Sequence, residues 1–194
     1  TFIHGALCYS YSGLCLFSSH RLGRSGNRGR CAYLCRDEFT TRDGKGGFVF
    51  SMKDLALPQE ISELAKAGVT SFKIEGRMKS PLYVAATTHY YRKLIDGKLS
   101  PAERKEMEAD IQTIFSRPWT GLYVRSRDAR SVINSDTVGH RGTPIGTVDM
   151  VIDSRVLRFR TSRAIEVHDG LQIDIPGEAK PFGFPVDALR LAGE

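Results

Sequence analysis

Residues 48–97 constrain the fold more than any other part of the chain. They read FVFSM, LPQEISELAKAG, VTSFKIEG and SPLYVAATTHYYRKLIDG in succession. FVFSM (48–52) and VTSFKIEG (69–76) are short runs rich in aromatic and β-branched residues, the composition of buried strands. Between them Leu57, Ile61, Leu64 and Ala65 share one helical face, and Gly68 stops the run. The next segment carries Ser80 as N-cap, Pro81 at the first helical position and Gly97 past the last. Strand, helix, strand, helix predicts an α/β fold with parallel pairing.

The flanks extend this pattern. TFIHGA (1–6) reads as a short buried strand entered without a polar lead-in, the middle of a fold rather than its start. SPAERKEMEADIQTIFSR is a further helix, with Ser100 and Glu103 as a capping box around Pro101. Its apolar face is Met107, Ile111, Ile114 and Phe115. Past Thr120 the character changes to alternating apolar and polar residues, with turns at 153–154 and 168–170. The expected organisation is an α/β region over 1–118 with a cysteine-rich loop at 8–35, a linker at 119–135, and a small β-barrel-like domain over 136–194.

All four cysteines, Cys8, Cys15, Cys31 and Cys35, lie in that loop. At 194 residues the chain can bury a core without staples, so stability does not call for them. No apolar run is long enough to span a bilayer, and the expected location is cytoplasmic, where thiols stay reduced. Metal binding is therefore favoured over disulfides. Only Cys31 and Cys35 have the close spacing usual in a zinc knuckle. An iron–sulfur cluster tolerates looser spacing from an irregular loop. The residues leave zinc and iron–sulfur nearly balanced. Nearby arginines lower thiol pKa values and offset thiolate charge.

Net charge is +6, and its distribution is uneven. Arg21, Arg24, Arg28, Arg30 and Arg36 precede the first acid, Asp37. Such a patch suits phosphates or carboxylates, or is simply a solvated loop. A second constellation is SMKD and SFKIEGRMKS, where Lys53, Asp54, Lys73, Glu75, Arg77 and Lys79 cluster at the C-terminal ends of two expected strands. In parallel α/β folds that end binds ligands. Lys73 and Glu75, two apart, share a strand face and form either a functional pair or a structural ion pair. His4 is most simply a core residue, with a minor claim on substrate. There is no phosphate loop, nucleophile elbow or zincin helix.

Three strings carry a resemblance: HGALCYSYSGLCLFSSHRLGRSGNRGRCAYLCR, SMKDL and AGVTSFKIEGRMKSPLYVA. Together they closely resemble the collagenase-like peptidases of family U32, at motif level over about residues 2–95. The resemblance implies a TIM-type barrel of which this chain is the C-terminal part, the N-terminal half lying outside it. It implies RNA-base hydroxylation of the ribosomal type, acting on cytidine, with transfer RNA as the related target. It also implies a 4Fe-4S cluster on Cys8, Cys15, Cys31 and Cys35, with prephenate as co-substrate and hydroxyl source. In that frame Arg24, Arg28, Arg30 and His4 face substrate, and Lys53, Asp54, Lys73, Glu75 and Arg77 line the catalytic pocket. The rival expectations are a peptidase and a zinc-stabilised RNA-binding module.

Overall fold

In the computed structural model, residues 1–11, 13–125, 127, 132–178 and 181–190 are described. The chain divides into two compact units, Thr1–Gly142 and Thr143–Glu194.

The first unit is mixed α/β. Its sheet has four strands: β1 (Phe2–Ala6), β4 (Asp54–Ala56), β5 (Lys73–Ile74) and β6 (Trp119–Thr120), in the order β5-β1-β4-β6. The sheet is open, and no closed barrel is formed among the described residues. β1 runs parallel to β5 and antiparallel to β4, with His4 opposite Ala56 and Ala6 opposite Asp54. β4 runs parallel to β6, with Asp54 opposite Trp119. Two further short strands, β2 (Phe39–Thr40) and β3 (Gly46–Gly47), form a separate hairpin.

This corrects the expected strand pairing. The two strands of the βα run flank β1 from opposite sides instead of pairing with each other. FVFSM is also no strand. Ser51 N–H closes a turn on Phe48 O at 2.8 Å, and Met52 makes a lone bridge to Ile133. The aromatic content that signalled a strand serves side-chain packing: Phe50 lies edge-on to Phe39 and to Tyr9, each at 5.0 Å. The strand begins two residues later, at a buried carboxylate.

The core joins Ile3, Leu55, Leu57 and Ile61 to Tyr83, Tyr90, Tyr91 and Ile111. α2 (Ile61–Lys66) is shorter than the expected helix, because Leu57 N–H is bonded to Ile3 O and Pro58 follows. α3 (Pro81–Ile95) and α4 (Pro101–Ile114) form as read, with the capping box at Ser100 and Glu103 in place. α3 buries Tyr83, Thr87, Tyr90 and Tyr91, a single stripe at helical spacing. Its cap, Ser80 Oγ, accepts Tyr83 N–H at 3.2 Å. Ser80→Ala is expected to lower stability by about 1 kcal/mol, read as a shifted urea midpoint at unchanged slope.

Gly5 sets how closely β1 and β5 approach. Its φ is +119°, and a Cβ there would lie 2.4 Å from Glu75 O. Only glycine fits.

In the second unit β7 (Val148–Ile152) pairs with β8 (Val156–Phe159), and β9 (Gly170–Ile173) with β10 (Phe182–Pro185), both antiparallel. Asp153 and Ser154 both have positive φ, and Arg155 N–H returns to Ile152 O, the turn expected from the sequence. The described strands form two separate hairpins, not the barrel-like closure expected. Within residues 119–135, expected as a linker, Trp119–Thr120 supply the sheet edge of the first unit.

Candidate functional site

The loop that leaves β1 carries the thiols, and other elements hold it at several points. α1 (Phe17–Leu22) turns the chain and buries Ser18, whose Oγ accepts Ala32 N–H at 3.0 Å. A single turn at Gly26–Arg28 follows, and Arg77 Nη2 donates to Gly29 O at 2.8 Å. A second turn, Leu34–Arg36, brings Arg36 inward. Arg36 donates to Leu7 O at 3.2 Å, to Ser51 Oγ at 2.9 Å and to Met52 O. One guanidinium thus joins the end of β1, the start of the next strand and the cysteine loop.

All four cysteines are free thiols, Cys8 exposed and the others half-buried. Burial raises the pKa of Cys35, with Cys31 and Cys8 adding to the rise and Arg36 opposing it. Cys8, Cys31 and Cys35 therefore share one electrostatic neighbourhood. Tyr33, held at φ 59°, points its N–H at Cys31 Sγ at 3.3 Å. A single tetrahedral zinc with bonds near 2.3 Å needs its sulfurs about 4 Å apart. Among the described residues no three candidate ligands are so arranged.

The structure separates the second expected constellation. Asp54 is buried and paired with Arg117 at 3.0 Å. Lys53 is half-buried, its N–H on Val132 O. Lys73 is exposed, stacked over the Phe2 ring at 4.6 Å, so the expected pair with Glu75 does not form. Glu75 accepts Arg77 N–H at 2.8 Å, and the Arg77 side chain is committed to Gly29. The short extent of β5 explains the difference, because only Lys73 and Ile74 are strand and the chain turns just beyond, where Lys79 N–H closes on Gly76 O. Arg24, Arg28 and Arg30 are exposed, and among the described residues no carboxylate pairs with them. His4 is a core residue, 2 % exposed, with Nδ1 3.2 Å from the Tyr91 hydroxyl.

Around Asp54 gather cations that the expected catalytic set left out, although Lys79 belongs to the second constellation. Arg117 pairs with it directly, and the charges of Arg36 and Lys79 are felt there. Lys79 Nζ sits 2.9 Å from the centroid of the Phe115 ring, and Arg117 lies over the same ring at 5.4 Å. Burial lowers the Lys79 pKa to about 8, helped by repulsion from Arg117 and Arg36 and resisted by Asp54. The available signal was Asp54 itself, since an acid opening a buried strand needs a cation. Nothing local says which one, because Arg117 lies 63 residues away.

The family model for peptidase family U32 matches residues 1–134. The 23S rRNA 5-hydroxycytidine C2501 synthase of Escherichia coli (strain K12) is 34 % identical over 209 residues, covering 100 % of this chain and 31 % of that protein. The tRNA hydroxylation protein P1 of Bacillus subtilis (strain 168) is 40 % identical over 115 residues, 53 % of this chain and 27 % of the relative. A protein named collagenase from Porphyromonas gingivalis is 35 % identical over 139 residues, 65 % of this chain and 34 % of the relative. The chain thus spans about a third of the length of these relatives. No solved structure matches.

Proposed function

We propose, from the premise that this chain belongs to peptidase family U32, that it is part of an enzyme that hydroxylates RNA bases, with ribosomal cytidine as the target. The observation that carries this reading is coverage. Similarity to the ribosomal RNA synthase runs the whole length of the chain, the hairpin unit included, whereas the collagenase-named relative matches 65 % of it. In this reading the first unit is the late part of a TIM-type barrel whose other strands lie outside these residues.

Cys8, Cys15, Cys31 and Cys35 would hold a 4Fe-4S cluster. The fit rests on four thiol donors, the Tyr33 N–H aimed at Cys31 Sγ, and Arg36 beside Cys35 and Cys8. When bound, such a cluster supplies one-electron chemistry. Arg36 offsets thiolate charge and fixes the loop against the sheet. Arg24, Arg28 and Arg30, exposed and without acid partners, would meet RNA phosphates. Prephenate would be the hydroxyl donor.

The test is mass spectrometry of ribosomal and transfer RNA nucleosides from cells with and without the intact gene. Hydroxycytidine should vanish on deletion and return with the wild-type gene but not with Cys31→Ser. Unchanged nucleosides, with peptide cleavage by the purified protein, would establish the peptidase reading instead. A colourless protein carrying one zinc would point to the binding module.

A further inference from the structure

We propose that Lys79 and the unoccupied edge of Arg117 form a binding site for a small organic carboxylate. The cations around Asp54 outnumber the acids. Arg36, Lys79 and Arg117 act on one another there, and Asp54 alone is ion-paired among them. The next carboxylate, Glu75, is taken by the backbone N–H of Arg77. Arg36 spends its donors on Leu7, Ser51 and Met52, and its charge also faces Cys35 and Cys8. That leaves Lys79 and Arg117 as the under-used pair.

Two details of Arg117 point to a ligand. Asp54 engages only Nη1, and Nε is buried with no hydrogen-bond partner. An unpaired buried guanidinium N–H is costly, and the Nε edge of arginine is a fork that matches a carboxylate or phosphate. Lys79 has no acid within ion-pair distance among the described residues and rests on the Phe115 ring, which also bears Arg117. Burial first, and then repulsion from Arg117 and Arg36, hold the Lys79 pKa down at about 8 against the pull of Asp54, and a bound anion would relieve that penalty. The Arg117 side chain is only 17 % exposed, and Phe115 and Tyr83 wall the lysine. That enclosure suits a small molecule with a carboxylate head and an apolar body better than the phosphate of a polymer backbone.

As the seat of a carboxylate co-substrate the site rests on the hydroxylase reading; as an anion site it does not. The test is therefore direct binding. Malonate, benzoate and inorganic phosphate are titrated into the purified protein by calorimetry, with the fluorescence of Trp119, two residues from Arg117 and the one tryptophan of the chain, as a local reporter. Benzoate and malonate should bind, and Lys79→Gln and Arg117→Lys should each weaken them at least tenfold. Lys79→Gln removes one cation near Asp54 and Arg117→Lys keeps the charge of its ion-pair partner, and the far-UV spectra and urea midpoints of both variants establish that they fold. Carboxylate binding indifferent to both substitutions would overturn the proposal. So would phosphate binding tighter than either carboxylate and displaced by an RNA oligonucleotide, which would make this a phosphate contact. A failed nucleoside test with carboxylate binding intact would remove the hydroxylase reading and leave the site.

Discussion

Arg36→Ala is expected to destabilise the first unit by about 3–5 kcal/mol, more than any other single change on the loop. The side chain is half-buried yet donates to three acceptors on two segments: Leu7 O, Ser51 Oγ and Met52 O. Ser51 is 1 % exposed, so water cannot replace the lost donor there without opening the structure. Removing the guanidinium also strips Asp54 of one of the cations around it. Arg36→Lys separates the contributions. Lysine keeps the charge but cannot reach three acceptors with one planar head, so it should recover only part of the loss. Urea midpoints for the three proteins check this. A loss under about 1 kcal/mol for alanine would mean that the loop is held elsewhere.

Such a loss bears on function because the loop has few other anchors. Ser18 Oγ holds Ala32, and Arg77 holds Gly29, where a Cβ would come within 2.9 Å of the guanidinium. These contacts come from three places in the fold and act on both sides of Cys31. These contacts hold the segment around Cys31, which lowers the entropic cost of assembling a site on that part of the loop. The exposed Arg24, Arg28 and Arg30 lie on the same loop, so its outer face is basic and its inner face is anchored.

How much of this was legible in the sequence follows from which signals are local. Caps at Ser80 and Ser100 depend on residues three or four apart, and they formed as read; the tyrosine stripe of α3 follows the same local spacing. The four thiols and the run of arginines in the cysteine loop are also plain in residue types. What could not be read was pairing across long separations. Asp54 was singled out, but its partner Arg117 sits where the sequence changes character, and only the β4–β6 register brings them together. Lys73 and Glu75 failed for the opposite reason. Period-two reasoning presumed a strand longer than the two residues that pair. Lys79, beside them, turned inward because Phe115 from the end of α4 offered it a ring. The sign of the β1–β4 pairing was also beyond reach, since the alternation of strands and helices says which elements exist but not which edges meet.

Acid exposes the other buried charge-bearing group. As pH falls from about 6.5 to about 4, the first unit is expected to lose on the order of 3 kcal/mol through His4 alone. Burial holds the folded pKa at about 4, against the pull of Asp54 in the other direction. The unfolded chain takes its proton near 6.5. Between those values only the unfolded state binds the proton, so stability rises with pH across that window. It is complete above about 6.5, and His4 contributes no further change below about 4. The surroundings explain why the neutral ring is preferred. The Tyr91 hydroxyl donates to Ile3 O at 3.1 Å and accepts Leu57 N–H at 3.2 Å, which leaves one lone pair for His4 Nδ1–H. The rings of Tyr91 and Trp119 stand edge-on to the imidazole at 5.5 and 5.4 Å. A charge there gains no carboxylate contact, since Asp54 is already committed to Arg117. His4→Asn keeps a donor near the Nδ1 position and removes the titration. Urea midpoints at pH 7, 5.5 and 4.5 should fall steadily for the wild type and stay nearly level for the variant. If the two proteins fall in parallel, the acid sensitivity belongs to another group.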